Sequence, residues 1–210
     1  MELEQLGEQV REAFQGRHAA RERGLALHRD VIRGSANSIR AAHRGDNERA
    51  RELLAEAQRL LGEIEAALSP YPEIYYAGFV HDCQKELAEA SITLALLNDL
   101  PLPPPSDLKV KLPAYLNGLA EAIGEVRRHV LDQVRRGALD RCEPLLQRMD
   151  DIYSLLVTID YPDAITGGLR RSTDVARSIL EKTRGDLTVA MRQQDLEQAL
   201  RSMERKLGAS

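Results

Sequence analysis

The sequence predicts an all-α fold. Apolar residues recur at three- and four-residue spacing through nearly the whole chain, no stretch alternates as a half-buried strand would, and Gly and Pro fall between periodic segments. At 210 residues the chain can bury a full core without splitting, so residues 1–210 are read as a single helical domain of about seven helices.

The first helix is expected from about Leu3 to Arg44, broken or bent near Gly16, Gly24 or Gly34, and ended by Gly45. Asp46 then caps a second helix through about Leu68, since an Asp before a periodic run can accept from the unpaired N–H groups of the first turn. The turn Ser69 to Pro72 opens a third helix through about Leu97, whose Cys83, Leu87, Ala90, Leu94 and Leu97 form a core stripe. Asp99 to Pro113 is too rich in proline to be helical and reads as an extended connection. The fourth helix follows, burying Leu116, Leu119, Ile123, Val126 and Val130, and Gly137 ends it. The fifth (about Leu139 to Ile159, with Pro144 in its first turn), sixth (about Ala164 to Arg184) and seventh (about Leu187 to Leu207) are separated by Tyr161-Pro162 and by Gly185.

Composition excludes several classes. Cys83 and Cys142 have neither a partner at metal-ligand spacing nor a disulfide framework around them, and read as reduced core thiols of a cytoplasmic protein. The N-terminal MELEQLGEQV is acidic and amphipathic, unlike a leader, and no apolar stretch approaches the ~18 residues of a membrane span. The net charge of −4 hides an asymmetry: Arg17 to Arg44 holds seven arginines against Glu22 and Asp30, a local +5 in a chain otherwise acidic.

Two features carry chemistry. Glu86 and Glu89 on the third helix are three apart, and Glu121 and Glu125 on the fourth are four apart, so each pair projects from one face of its helix. Like charges at that spacing repel, and a hard divalent cation bound by oxygen ligands would offset the repulsion; Asp82 adds an acid one turn before Glu86. Such pairs are common on helices, and by pattern alone a solvated acidic face is the commoner explanation, with Glu89, Glu121 and Glu125 turned away from the apolar stripe. The second feature is a ridge of Arg29, Arg33, Arg40 and Arg44, all within about 60° around the first helix and spanning roughly 22 Å, enough for several phosphates of one strand. An ordinary solvated face would look the same. Arg128 is a further candidate, and Arg127, Arg135, Arg136, Arg170 and Arg171 rank below it. With no Trp, two Phe and six Tyr, binding by stacked aromatics is disfavoured and electrostatic binding favoured. His81 and His129, near the acids, could touch substrate, whereas Asp150 and Asp151 read as structural.

Several stretches, in order along the chain, resemble the translin/TRAX family. Arg29-Asp30 followed by Ala42 to Arg44 is similar to the RD and LHR of TRAX's first helix, and PEIYY (Pro72 to Tyr76) to the tyrosine pair opening translin's third helix. QKELAEA (Gln84 to Ala90), YLNGLAEAIGEVRR (Tyr115 to Arg128) and LEKTRGDL (from Leu180) resemble TRAX segments at matching intervals. The resemblance is closer to TRAX than to translin, as in a homologue of prokaryotic type. It implies a homo-oligomeric, octameric barrel that encloses single-stranded RNA, with single-stranded DNA as a further ligand. In TRAX it implies an Mg²⁺- or Mn²⁺-dependent endoribonuclease in which Glu86, Glu89, Glu121 and Glu125 are the metal ligands and catalytic residues. Glu121 stands where TRAX has Asp, which keeps the charge and lengthens the arm. The alternative is a non-catalytic, translin-type assembly that only binds nucleic acid.

Overall fold

The computed structural model describes residues 3–208, and among these every regular element is helical. Six long helices carry the architecture: α1 (Leu3–His43), α2 (Asn47–Leu68), α4 (Phe79–Leu97), α6 (Leu112–Arg135), α7 (Cys142–Val157) and α9 (Leu169–Gly208). Single turns α3 (Pro72–Tyr75), α5 (Pro105–Leu108) and α8 (Asp163–Thr166), with a 3₁₀ turn at Leu139–Arg141, fill the connections. No helix among the described residues is long and apolar enough to cross a membrane.

The helix ends are set by local chemistry. Asp46 accepts from the backbone N–H of Arg49 at 3.2 Å, the expected cap of α2. Gly45 and Gly137 adopt the left-handed conformation just past α1 and α6, where paired backbone bonds of the Schellman type close each helix.

Three boundaries differ from the sequence reading. The third segment divides into α3 and α4, because the chain turns at Gly78, whose φ is +104°. The Asp99 to Pro113 connection contains one helical turn, α5, opened by its prolines. The sixth and seventh segments are one continuous helix, α9, preceded by α8 and a break at Gly167-Gly168. Gly185 lies inside α9 on an exposed face. A mid-helix glycine costs only about 1 kcal/mol relative to Ala, whereas Leu180, Thr183 and Leu187 bury one continuous stripe across it. α1 likewise runs unbroken past Gly16, Gly24 and Gly34.

α4 is the central element. It packs on α1, α2 and α6, while α6 also meets α7 and α9, so one apolar core runs from α2 to α9 through Leu61, Leu87, Ile92, Ile123, Met149 and Leu187. Cys83 and Cys142 are free thiols inside it. A smaller cluster of Ala41, Ala42, Ala50 and Leu94 lets the C-terminal end of α1 approach α2 and α4 closely and seats His43 beside α6.

Candidate metal and nucleic-acid site

The close contact of α4 with α6 depends on one residue. A Cβ on Gly118 would lie 2.7 Å from the Lys85 carbonyl oxygen, 2.9 Å from the Glu89 nitrogen and 2.9 Å from the Ala88 Cβ. Real Cβ atoms do not tolerate such approaches, so only glycine lets the two backbones meet here. The crossing lies at the Glu86 and Glu89 pair on α4 and one turn before Glu121 on α6, and it brings these three together. Glu86, Glu89 and Glu121 each offer a carboxylate oxygen, and the three oxygens lie within 4.8 Å of one another.

The electrostatics of this trio are those of anions gathered at a half-buried seam. Burial pushes the Glu89 carboxyl up to about 8, with the charges of Glu86, Glu121 and Glu125 adding to the effect and Lys85 opposing it. Glu86 is raised in the same way, mainly by burial. Lys85 reaches across the crossing, placing its ammonium 2.8 Å from Glu121 Oε1 and 3.6 Å from Glu86 Oε1. Its own pKa is held above the ordinary lysine value: burial acts to lower it, but the hydrogen bond and charge of Glu121 outweigh that.

Glu125 stands beside the trio. It is engaged by His43 Nε2 at 2.5 Å and lies 3.6 Å from an Arg128 guanidinium nitrogen. The His43 hydrogen bond holds its carboxyl below the usual carboxylate range. The His43 imidazole is almost entirely buried, and among the described residues its Nδ1 has no hydrogen-bond partner. His129 packs 6.2 Å from it, ring to ring, with a pKa lowered first by burial. Asp82, the additional acid noted in the sequence, is exposed and outside the trio.

Arg29, Arg33 and Arg40 are exposed along α1, and Arg44 is exposed in the turn just past its end. Arg33 pairs with Asp30, and Arg40 donates to Asn37 Oδ1 at 2.7 Å, so two of the four are tethered within their own helix. Arg128 is exposed and adjoins Glu125. Arg127 is fixed to α9 through Asp186 at 2.8 Å and Thr183 at 3.1 Å. Asp150 pairs with Arg184 and so joins α7 to α9, and Asp151 accepts from Gln147 one turn away.

Three residues that shape the site went unassigned from sequence: Gly118, Lys85 and His43. Only Gly118 had a usable signal, a glycine inside a helix one turn before the Glu121 and Glu125 pair. The others depend on contacts between segments 36 and 82 residues apart.

Comparison with known proteins returns a consistent set. No family model matches the chain. The uncharacterised protein MJ0175 of Methanocaldococcus jannaschii is 31% identical over 188 residues, covering 89% of this chain and 83% of that protein. The crystal structure of AfC3PO is 34% identical with a TM-score of 0.81, over 89% of this chain and 97% of AfC3PO. A structure of AfC3PO in complex with duplex RNA matches equally well, over 96% of that chain. The structure of apo-NeC3PO, at 20% identity and a TM-score of 0.74 over 90% of this chain and 96% of its own, shares the fold.

Proposed function

The chain belongs to the translin/C3PO family, and from that premise we propose that it is a metal-dependent endoribonuclease of TRAX-like type, cleaving single-stranded RNA inside a closed homo-octamer. The observation that carries this reading is the convergence of Glu86, Glu89 and Glu121 oxygens within 4.8 Å. RNA as the ligand class is supported by AfC3PO, which has been solved with duplex RNA.

The donor set suits a hard divalent cation: three carboxylates, one of them raised to about 8 by burial among like charges, with an ammonium drawn in as a partial substitute. Glu86, Glu89 and Glu121 would hold Mg²⁺ or Mn²⁺, which supplies polarisation of a backbone phosphate and a bound water of lowered pKa. Glu125 completes the acidic set from a position fixed by His43, so it can orient a water or a ligand without itself wandering. Lys85, on releasing Glu121, has the charge and reach to neutralise a phosphate oxygen at the same seam. The exposed Arg29, Arg33, Arg40 and Arg44 ridge and Arg128 supply phosphate contacts that do not depend on sequence.

Assembly is supported by unpaired apolar surface. α1 leaves Leu3, Leu6, Val10 and Phe14 exposed at three- and four-residue spacing, and α9 leaves Leu196, Leu200, Met203 and Leu207 exposed in the same way. Stripes of this kind on both terminal helices fit burial against other subunits.

The second reading is a non-catalytic RNA-binding assembly. Lys85 favours it, since its ion pairs to Glu86 and Glu121 relieve part of the carboxylate repulsion without any metal. An RNA-cleavage assay with single-stranded and duplex substrates, run with Mg²⁺ and with EDTA, separates the two. Cleavage of the single strand in Mg²⁺ alone is expected; binding without cleavage in either buffer establishes the second reading.

A further inference from the structure

Beside the carboxylate trio, α4, α6 and the start of α9 enclose a groove of about 550 Å³ lined by His81, Lys85, Glu89, Asn117, Glu121 and Arg171. We infer that this groove is a one-nucleotide subsite, in which Arg171 holds the phosphate next to the scissile one while the ribose and base lie along the apolar wall of α9.

The volume lies within the range of small-molecule sites, roughly 300–1,000 Å³, and suits a single nucleotide rather than a duplex. Its lining is divided by chemistry in the way a nucleotide requires. Glu89 and Glu121, shared with the trio described above, form the acidic side together with Asp82, with Lys85 bonded to Glu121 among them. Arg171 and His81 bring the cationic and hydrogen-bonding groups, and Val175 and Ile179, the former about half exposed, supply apolar contact. Arg171 lies in the first turn of α9, which carries no acidic residue, although an acid there would be favoured by the positive end of the helix dipole. Arg171 places positive charge where the helix already has it, and a phosphate in the groove would relieve that conflict, whereas the charge of Arg170 is already met by Asp160.

The turn that aims Arg171 is rigidly held. Gly167 and Gly168 both have left-handed backbones, and a Cβ on Gly167 would lie 3.2 Å from His81 Cε1. Buried Asn117 donates to the Thr166 carbonyl at 2.9 Å and accepts from Ser172 Oγ at 2.7 Å, fastening both sides of the turn to α6. His81 lies against this turn at Gly167 and faces the same groove as Glu89 and Glu121. Arg170, by contrast, is outside the groove and pairs with Asp160 at 3.1 Å. The structure thus separates two neighbouring arginines that the sequence ranks alike.

The inference rests on the ribonuclease reading, and the test is arranged to tell their failures apart. Binding of a short single-stranded RNA would be measured in EDTA across a salt series for the full-length wild type, Arg171→Gln, Arg171→Lys and Arg170→Gln. Arg171→Gln should bind about tenfold more weakly and lose about 0.7 from the salt slope, the effect of one phosphate contact on a single strand. Arg171→Lys should recover most of the slope. Arg170→Gln, with the same change in net charge, should match the wild type. Wild-type affinity and slope in Arg171→Gln, or an equal loss in Arg170→Gln, would overturn the subsite; if the same wild type still cleaved RNA in Mg²⁺, the ribonuclease reading would survive. A wild type that neither bound nor cleaved RNA would end both.

Discussion

Replacing Glu89 by Gln should stabilise the metal-free protein at alkaline pH and leave it nearly unchanged in mild acid. The Glu89 carboxyl is held up to about 8 by burial and by Glu86, Glu121 and Glu125. A raised acid favours the folded state only while protonated, so its contribution is fully present below the ordinary carboxylate value and declines as pH rises through about 8. At about 1.36 kcal/mol per pH unit the full penalty has a ceiling of about 5 kcal/mol. Solvent at the open groove screens part of it, and about 2 kcal/mol is a reasonable net figure. Gln keeps the shape of the side chain and removes the titration. In EDTA, at matched protein concentration, the variant should therefore melt with the wild type near pH 5 and about 4–8 °C above it near pH 9. A stability gap that is the same at both pH values, or a variant that is weaker at pH 9, would refute the electrostatic account of the trio.

Gly118→Ala should destabilise the protein by about 1–3 kcal/mol in chemical denaturation despite the better helix propensity of Ala, because the new Cβ meets backbone atoms of Lys85 and Glu89 that cannot yield. The same variant should show less stabilisation by Mn²⁺ in a melting experiment, since α4 and α6 must part where the carboxylates meet. Replacing Arg29 and Arg40 together by Ala should weaken single-stranded RNA binding and lower the salt slope by about 1.4, read by fluorescence anisotropy; an unchanged slope in a correctly assembled variant would reduce the ridge to solvated surface. Light scattering in moderate salt should report a particle larger than a tetramer, and a monomer at micromolar concentration would contradict the enclosed-chamber model.

The helical elements were readable because each long helix carries its own apolar periodicity and most ends carry their own stop signal, as Asp46, Gly45 and Gly137 illustrate. Gly185 misled for a physical reason: a lone glycine is a weak breaker, and the buried stripe through Leu180, Thr183 and Leu187 runs straight past it. The spacing of the acids was readable, although by pattern alone it suggested a solvated face and the family resemblance singled them out; their environment was not readable. Helical geometry turns Glu89 away from the apolar stripe of α4, yet it is strongly desolvated, because α4 is covered on several sides by α1, α2 and α6. Amphipathic reasoning assumes one buried face, and a central helix has more than one. The Lys85–Glu121 and His43–Glu125 contacts join segments far apart in sequence and became visible only with the packing.

The most direct test of the proposed chemistry is single-turnover cleavage of single-stranded RNA in Mg²⁺ by the wild type and by Glu86→Gln, Glu89→Gln and Glu121→Asp, with RNA binding measured alongside in EDTA. The account predicts cleavage by the wild type and by Glu121→Asp, which keeps a carboxylate at that position. It predicts none by either Gln variant, although both assemble and bind RNA as the wild type does. Cleavage that persisted at the wild-type rate in both Gln variants, or that survived EDTA in the wild type, would contradict it.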